Sequence, residues 1–154
     1  CRAGAMGALL DEYEKAINEL KSVIKDMSDA ELVEIKDPHT ADSSCRSIQT
    51  ILTHVVSSSY SYCVQIMVNR EVLLERPQKY FRNSASAYIE DLDEAFSFNV
   101  QHLSTIKDAE LEEFRNDKKI LSGWGQLYDI EQMLEHAIVH ILRHRRQVNR
   151  LINQ

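Results

Sequence analysis

Three histidines recur at every fourth position near the end of the chain, at His136, His140 and His144. A spacing of four places side chains above one another on a single face of an α-helix. Each neutral imidazole offers a ring nitrogen to a borderline metal ion such as zinc. Two of these histidines and a third from elsewhere would form a three-nitrogen site with an open coordination position, which is typical of catalytic rather than structural metals.

The helical wheel of this segment separates the three histidines. At about 100° per residue, its apolar residues form one wide stripe. His144 falls at the edge of that stripe and His140 lies beside it, whereas His136 is turned well away and is expected to face solvent. The pattern therefore directs His140 and His144 into the protein, either as a ligand pair or as partly buried side chains that only form hydrogen bonds.

A third ligand would have to come from another segment. His39 lies in a polar loop, and His102 lies on a face of the third predicted helix where roles other than metal binding explain a histidine equally well. His54 is the remaining histidine on a predicted helix, on a strip of small residues off that helix's apolar stripe. The chain has neither the Glu-x-x-His pairs of di-iron bundles nor the HExxH motif of zinc proteases. A mononuclear, histidine-rich site is the metal site that remains.

Four helical segments would have to position these side chains. The sequence predicts them at about 9–27, from 44 or 47 to 74, from 84 or 86 to 106, and from 129 to 151. The polar connection from 28 to 44 is expected to have little regular structure. With only four glycines and two prolines in 154 residues, long helices are favoured over many short strands. The expected fold is all-α, a four-helix bundle with long connections, formed by one domain that spans residues 1–154.

Composition argues against several functional classes. No apolar run approaches the roughly 20 residues of a membrane-spanning helix. The net charge is -6 and the chain has no recognised nucleic-acid-binding motif, and both observations argue against nucleic-acid binding. The three cysteines, Cys1, Cys45 and Cys63, form an odd set without a CxxC pair, which favours reduced thiols and a cytoplasmic location.

Several other side chains have more than one interpretation. Cys63 lies on the apolar stripe of its helix, so we expect a buried structural cysteine rather than a nucleophile. Glu12, Glu14 and Gln147 are candidates to hydrogen-bond the metal-binding histidines from behind. Trp124, between two glycines in the loop before the last helix, either anchors packing or covers a pocket.

Four arginines cluster at the end of the last predicted helix, at Arg143, Arg145, Arg146 and Arg150. Cations near a helix C-terminus are favoured by the helix dipole, so a solvated face is the simpler interpretation. The functional alternative is that one of them, Arg146, holds the carboxylate of an anionic small-molecule substrate.

Two blocks of the sequence carry a family resemblance. Residues 140–147, HILRHRRQ, are similar to a terminal-helix pattern HxxxHRGQ, and residues 47–54, SIQTILTH, are similar to a second-helix pattern in which Ser-Ile precedes a ligand histidine. Together with their separation, they resemble the DinB/YfiT-like superfamily of metalloenzymes over most of the chain. The resemblance implies a divalent metal ion, zinc or nickel, held by His54, His140 and His144.

The resemblance also implies an activity. Members include thiol-dependent transferases and isomerases, which implies transfer of a low-molecular-weight thiol to an electrophilic small-molecule substrate in a homodimeric enzyme; hydrolysis of a small molecule is the other enzymatic reaction to consider. Arg146 stands where the family commonly has glycine, and Cys45-Arg46 stand where many members have tryptophan. The alternative is a non-catalytic dimeric helical-bundle protein, with a structural metal or no metal. The serines Ser57, Ser58 and Ser61 would then serve the dimer or face water.

Overall fold

Four long α-helices account for most of the chain, and the computed structural model describes all 154 residues. In chain order the helices are α1 (Gly4–Ile24), the five-residue α2 (Asp29–Val33), α3 (Ile48–Asn69), α4 (Ala85–Leu103) and α5 (Ile130–Ile152). A short antiparallel ribbon, β1 (Ile120–Leu121) and β2 (Leu127–Tyr128), precedes α5. The prediction of an all-α chain is confirmed.

Polar side chains fix where α3 and α5 begin. The Ser47 hydroxyl accepts a hydrogen bond from the backbone N–H of Thr50, whose hydroxyl in turn accepts from the backbone N–H of Ser47. Asp129 accepts from the backbone N–H of Gln132 at 2.8 Å, and Gln132 accepts from that of Asp129 at 3.0 Å. A cap of this kind contributes about 1 kcal/mol. Both caps set the register of the histidines that follow on these two helices.

The end of α3 differs from the prediction, because the helix ends at Asn69 rather than near residue 74. Glu71 adopts a left-handed conformation with φ 63°. The backbone N–H of Val72 then donates to the carbonyl of Met67, and that of Glu71 donates to Val68. This is a Schellman-type ending. The residue with positive φ in such an ending is normally glycine, so the glutamate at position 71 did not indicate in the sequence that the helix ends here.

The connection from residue 28 to 44 has more structure than predicted. Ser28 and Glu31 form a reciprocal cap at the start of α2, and the side chain of Leu32 is fully buried. A 3₁₀ turn, Ser43–Cys45, follows, with Asp42 accepting from the backbone N–H of Ser44 at 2.9 Å. Segments of three to five residues are too short to show a helical period, so the sequence pattern did not reveal them.

The four long helices pack in a closed order. α1 contacts α4 and α5, and α3 contacts the same two helices. Their inward faces contribute most of one continuous cluster of 30 buried hydrophobic residues. No helix has both the length and the apolar character that crossing a membrane would require. The packing of α3 against α5 determines which side chains can meet at the candidate site.

The serine strip of α3 is occupied by the chain itself. A guanidinium N–H of Arg76 donates to the Ser61 hydroxyl at 2.7 Å and to the Ser57 hydroxyl at 3.2 Å. Ser57 and Ser61 therefore bind the segment that follows α3, and whether this strip also contributes to a dimer stays a prediction.

Candidate metal centre

Three imidazole rings converge between α3 and α5. Nε2 of His140 lies 2.9 Å from Nε2 of His54 and 3.1 Å from Nε2 of His144. One ring nitrogen of each residue lies within 4.8 Å of those of the other two. No other group of three or more His, Cys, Asp or Glu side chains is arranged in this way. The structure thus brings together the three histidines that the sequence analysis singled out.

Helix packing and helix starts position the rings. His54 lies two turns into α3, after the Ser47 cap, and His140 and His144 lie one turn apart on α5. His144 is buried, with 6% of its surface exposed, whereas His54 and His140 are half-buried. The rings therefore meet at the edge of the core and keep some access to solvent.

Gln147 determines which nitrogen of His144 is free. Its Oε1 lies 2.9 Å from Nδ1 of His144, and a carbonyl oxygen can only accept a hydrogen bond. Nδ1 of His144 therefore carries the proton and donates it, which leaves a lone pair on Nε2, the atom nearest His140. A partner of this kind commonly orients the ligating ring in metal sites. Of the three candidates for this role, Gln147 contacts a histidine of the centre.

Burial favours the neutral form of all three imidazoles. Burial, followed by the charges of His144 and His54, lowers the pKa of His140 to about 3. Burial is also the largest cause that lowers the pKa of His54, and the charge of His144 adds to it. The pKa of His144 is lowered by burial against the opposing effect of its hydrogen bond with Gln147. Each ring is therefore unprotonated at one nitrogen at neutral pH, which is the form that binds metal.

The donor set fits a single cation. Nε2 of His144 has no proton, and Nε2 of His140 has at most one, yet it lies within hydrogen-bond distance of both other rings. No placement of protons on neutral rings therefore makes both contacts hydrogen bonds, because Nε2 of His140 would have to donate to His144 and accept from His54 at the same time. A shared cation would satisfy all three lone pairs. Zinc–nitrogen bonds of about 2.0–2.1 Å place tetrahedral ligands roughly 3.3 Å apart, close to the two short separations.

Charged groups near the centre have opposite effects on the pKa of its histidines. Beyond the effect of burial, the carboxylate of Asp42 raises the pKa of His54 and His144. The cations Lys79 and Arg143 lower the pKa of His54. No carboxylate belongs to the group of converging donors. Three neutral ligands would leave a divalent ion with its full charge.

His136 belongs to a separate aromatic cluster one turn before His140. Its ring stacks on Trp124, with centroids 4.5 Å apart and an interplanar angle of 19°. It also meets the ring of Tyr62 edge-on, with centroids 5.5 Å apart. His136 is half-buried, so the prediction that it faces solvent is wrong. The helical wheel describes α5 alone and cannot include the ribbon loop that carries Trp124.

Tyr62 lies between the aromatic cluster and the histidine centre. Its ring centroid is 5.5 Å from that of His136 and 5.7 Å from that of His140, and 6% of the residue is exposed. Sequence reasoning missed this residue. The available signal was its position on α3, about two turns after His54.

Other side chains considered from the sequence lie in different surroundings. Cys63 is buried, and burial raises the pKa of its thiol to about 12, which confirms the expectation of a buried cysteine. Glu14 forms an ion pair with Arg2 at 2.9 Å, and Glu12 lies 3.8 Å from Lys15. Neither glutamate bonds to a histidine of the centre.

The two remaining histidines do not join the centre. His39 is exposed, and His102 meets the ring of Phe98 with centroids 4.6 Å apart. Arg146 is exposed on α5. It lies with Arg143 and Arg150 around Gln147, which contacts the centre.

The family comparison agrees with the two sequence blocks. The family model of the DinB superfamily matches residues 12–148 of the chain. This range contains all three converging histidines and Gln147. No curated protein matches the chain.

Proposed function

Because this chain belongs to the DinB superfamily, we propose that it is a metal-dependent enzyme that transfers a low-molecular-weight thiol to an electrophilic small molecule. His54, His140 and His144 hold one divalent ion, zinc or nickel. The observation that carries the proposal is the convergence of three neutral imidazole nitrogens with no carboxylate among them. Imidazole suits both ions, and three protein ligands leave a position for substrate.

The residues around the ion have separate roles. Gln147 holds His144 in the tautomer with Nε2 free, through the bond to Nδ1. Tyr62, which is almost fully buried, closes the side that faces the aromatic cluster and excludes water there. When bound, the ion would act as a Lewis acid that lowers the pKa of a thiol or a water at its open position.

The reaction itself is a substitution at the electrophile. The thiol sulfur forms a bond to the electrophilic atom, the leaving group departs with the electrons of the broken bond, and the thiol proton goes to solvent. Hydrolysis would use the same centre with water in place of the thiol. Both reactions need the open position, and the two are separated by which nucleophile supports turnover.

The test is turnover by protein loaded with zinc or with nickel. Glutathione or cysteine would serve as the thiol and chlorodinitrobenzene as the electrophile, with nitrophenyl acetate as the substrate for hydrolysis. We expect thiol-dependent turnover that requires metal, is lost in His140→Ala and is retained in His136→Ala. His136→Ala is the matched control, because it removes an imidazole from the same helix without touching the group of converging nitrogens.

The competing hypothesis is a non-catalytic helical protein. It predicts no metal-dependent turnover with any thiol or ester, and equal rates in wild type and both variants. Turnover of nitrophenyl acetate without a thiol would instead assign hydrolysis to the centre.

We also infer two features of the whole molecule. The closed packing order of the four long helices supports a four-helix bundle, and the single cluster of buried residues supports one domain. A homodimer and a cytoplasmic location stay predictions. The first is tested by sedimentation equilibrium, and the second is in keeping with the three free cysteines.

A further inference from the structure

Three arginines line an open cleft next to the histidine centre. Arg143, Arg146 and Arg150 border it together with Gln147 and Cys45, and its volume is about 580 Å³. At about 100° per residue, the three arginines fall within an arc of roughly 60° on α5. Cys45 reaches the cleft from the 3₁₀ turn before α3. The cleft therefore lies where α5 meets the segment that leads to His54.

The guanidinium groups of the cleft have no acidic partner. Arg145, on the same stretch of helix, forms an ion pair with Glu19 on α1. Arg143, Arg146 and Arg150 form none, although the chain has a net charge of -6. The helix dipole favours cations at this end of α5. It does not account for three cations confined to one face, where they repel one another.

Asp42, whose carboxylate contacts Cys45 at the cleft, accepts its other hydrogen bonds within its own turn. Its Oδ1 accepts from the backbone N–H of Ser44 at 2.9 Å and from the Ser44 hydroxyl at 2.6 Å. Its Oδ2 lies 3.6 Å from Sγ of Cys45. These bonds hold Asp42 within its own turn, and it forms no ion pair with the arginines of the cleft.

The cleft adjoins the histidine centre through Gln147. One residue both lines the cleft and accepts the hydrogen bond from Nδ1 of His144. A ligand held in the cleft would therefore be separated from the imidazole of His144 by a single side chain, that of Gln147.

We propose that this arginine cleft binds a small oxyanionic ligand, a carboxylate or a phosphate, and holds it beside the histidine centre. Guanidinium groups bind both kinds of oxyanion through two parallel hydrogen bonds. The volume is that of a small-molecule site, and the acidic surface elsewhere disfavours a long polyanion such as nucleic acid. That the ligand is a substrate of the enzyme rests on the proposed function; that the cleft binds it does not.

Cys45 provides a reporter inside the cleft. We would compare its rates of alkylation by anionic iodoacetate and neutral iodoacetamide in metal-free protein, read by mass spectrometry of each cysteine peptide. Cys1 is the internal reference within each sample, and Cys63 is buried. We expect the iodoacetate-to-iodoacetamide ratio at Cys45, relative to that at Cys1, to depend on the arginines of the cleft.

Charge removal shows whether the arginines cause this ratio. Arg146→Gln should lower the ratio at Cys45 by about threefold, the effect of one charge at short range in water. Arg115→Gln is the matched control, because it removes the same charge from a side chain that is 64% exposed and paired with Asp117. Equal ratios in wild type and Arg146→Gln would overturn the proposal.

Ligand binding is tested by protection of Cys45 from iodoacetamide. Succinate and inorganic phosphate are the two probes, each compared with sodium chloride at equal ionic strength. Saturable protection by succinate, by phosphate or by both supports the cleft and identifies the oxyanion it prefers; this protection should be lost in Arg143→Gln/Arg146→Gln. Protection no greater than that of sodium chloride would overturn the proposal.

The outcome is independent of the metal. Both assays use metal-free protein, so the cleft can bind oxyanions even if the histidines prove to bind no ion. Conversely, wild-type protein that binds metal but gives no protection by either probe would overturn the cleft proposal and leave the metal centre in place.

Discussion

Two histidine neighbourhoods one turn apart on α5 have opposite characters. His140 and His144 direct nitrogens at a third imidazole, His54, across the interface with α3. His136 lies flat against Trp124 and meets the edge of Tyr62. All three residues share the same spacing on the same helix, so the difference comes from the facing helix and loop. A donor from the facing helix is therefore what distinguishes the candidate metal centre from the rest of the histidine repeat.

The largest effect should follow loss of the donor on the facing helix. His54→Ala leaves both histidines of α5 in place and removes the third nitrogen, so we expect zinc affinity to fall by more than about 100-fold, beyond the range seen when only an outer partner is lost. Competition with a chromophoric chelator measures this affinity. An affinity within a few-fold of wild type would mean that His140 and His144 bind the ion without α3.

A smaller loss should follow removal of the acceptor behind His144. Gln147→Met keeps the size of the side chain but frees Nδ1 of His144, so we expect zinc affinity to fall about 10–100-fold. Gln147→Glu keeps an acceptor and is the matched control. If both variants bind zinc as wild type does, the tautomer of His144 does not depend on this contact.

Removal of His136 should have almost no effect on the ion. His136→Ala takes away a ring that stacks on Trp124 and offers no nitrogen to the converging group. We expect zinc affinity within about twofold of wild type in the same competition assay, since no ligand or partner of a ligand is lost. A loss comparable to that of His54→Ala would show that the centre extends one turn further along α5.

The smallest signal should come from protonation of His136. Trp124 is the single tryptophan of the chain and stacks on this imidazole, and a protonated imidazole quenches indole fluorescence. Burial lowers the pKa of His136 below its ordinary value of 6.5. The decrease in fluorescence should therefore have its midpoint below pH 6.5.

Protonation of His136 should also make the stability of the folded protein depend on pH. Because the unfolded chain takes up a proton on this residue at higher pH than the folded protein does, stability contributed by neutral His136 is complete above pH 6.5 and is lost as the pH falls below it. His136→Gln should show no fluorescence transition. A midpoint above 6.5 in wild type would contradict a buried, neutral His136.

Sequence patterns revealed the features that depend on local periodicity and capping. Apolar spacing and the cap at Asp129 located the start of α5, and the two predicted caps of α3, Ser44 and Ser47, included the one that the structure uses, Ser47. The wheel of α5 separated His144 from His136 correctly with respect to the centre. Pairing of the two helices could not be derived from either alone, and the family resemblance supplied it.

Features that depend on contacts between distant segments of the chain could not be predicted from the sequence. The contact of Trp124 with His136 requires the β1–β2 ribbon, whose two-residue strands are too short to recognise. The arginine cleft requires Cys45 from a 3₁₀ turn that lies far from α5 in the chain. The sequence contained Arg146 and its neighbours, but only the fold shows that Arg145 is paired and the others are not.

The most direct test of the account is the number of metal atoms per chain. Elemental analysis would follow purification without chelator and equilibration with zinc, for wild type and His140→Ala. The account predicts about one zinc per wild-type chain, the stoichiometry of a single open site, and none in the variant. Wild-type protein that takes up no zinc and no nickel would contradict the central claim, as would a variant that retains the ion.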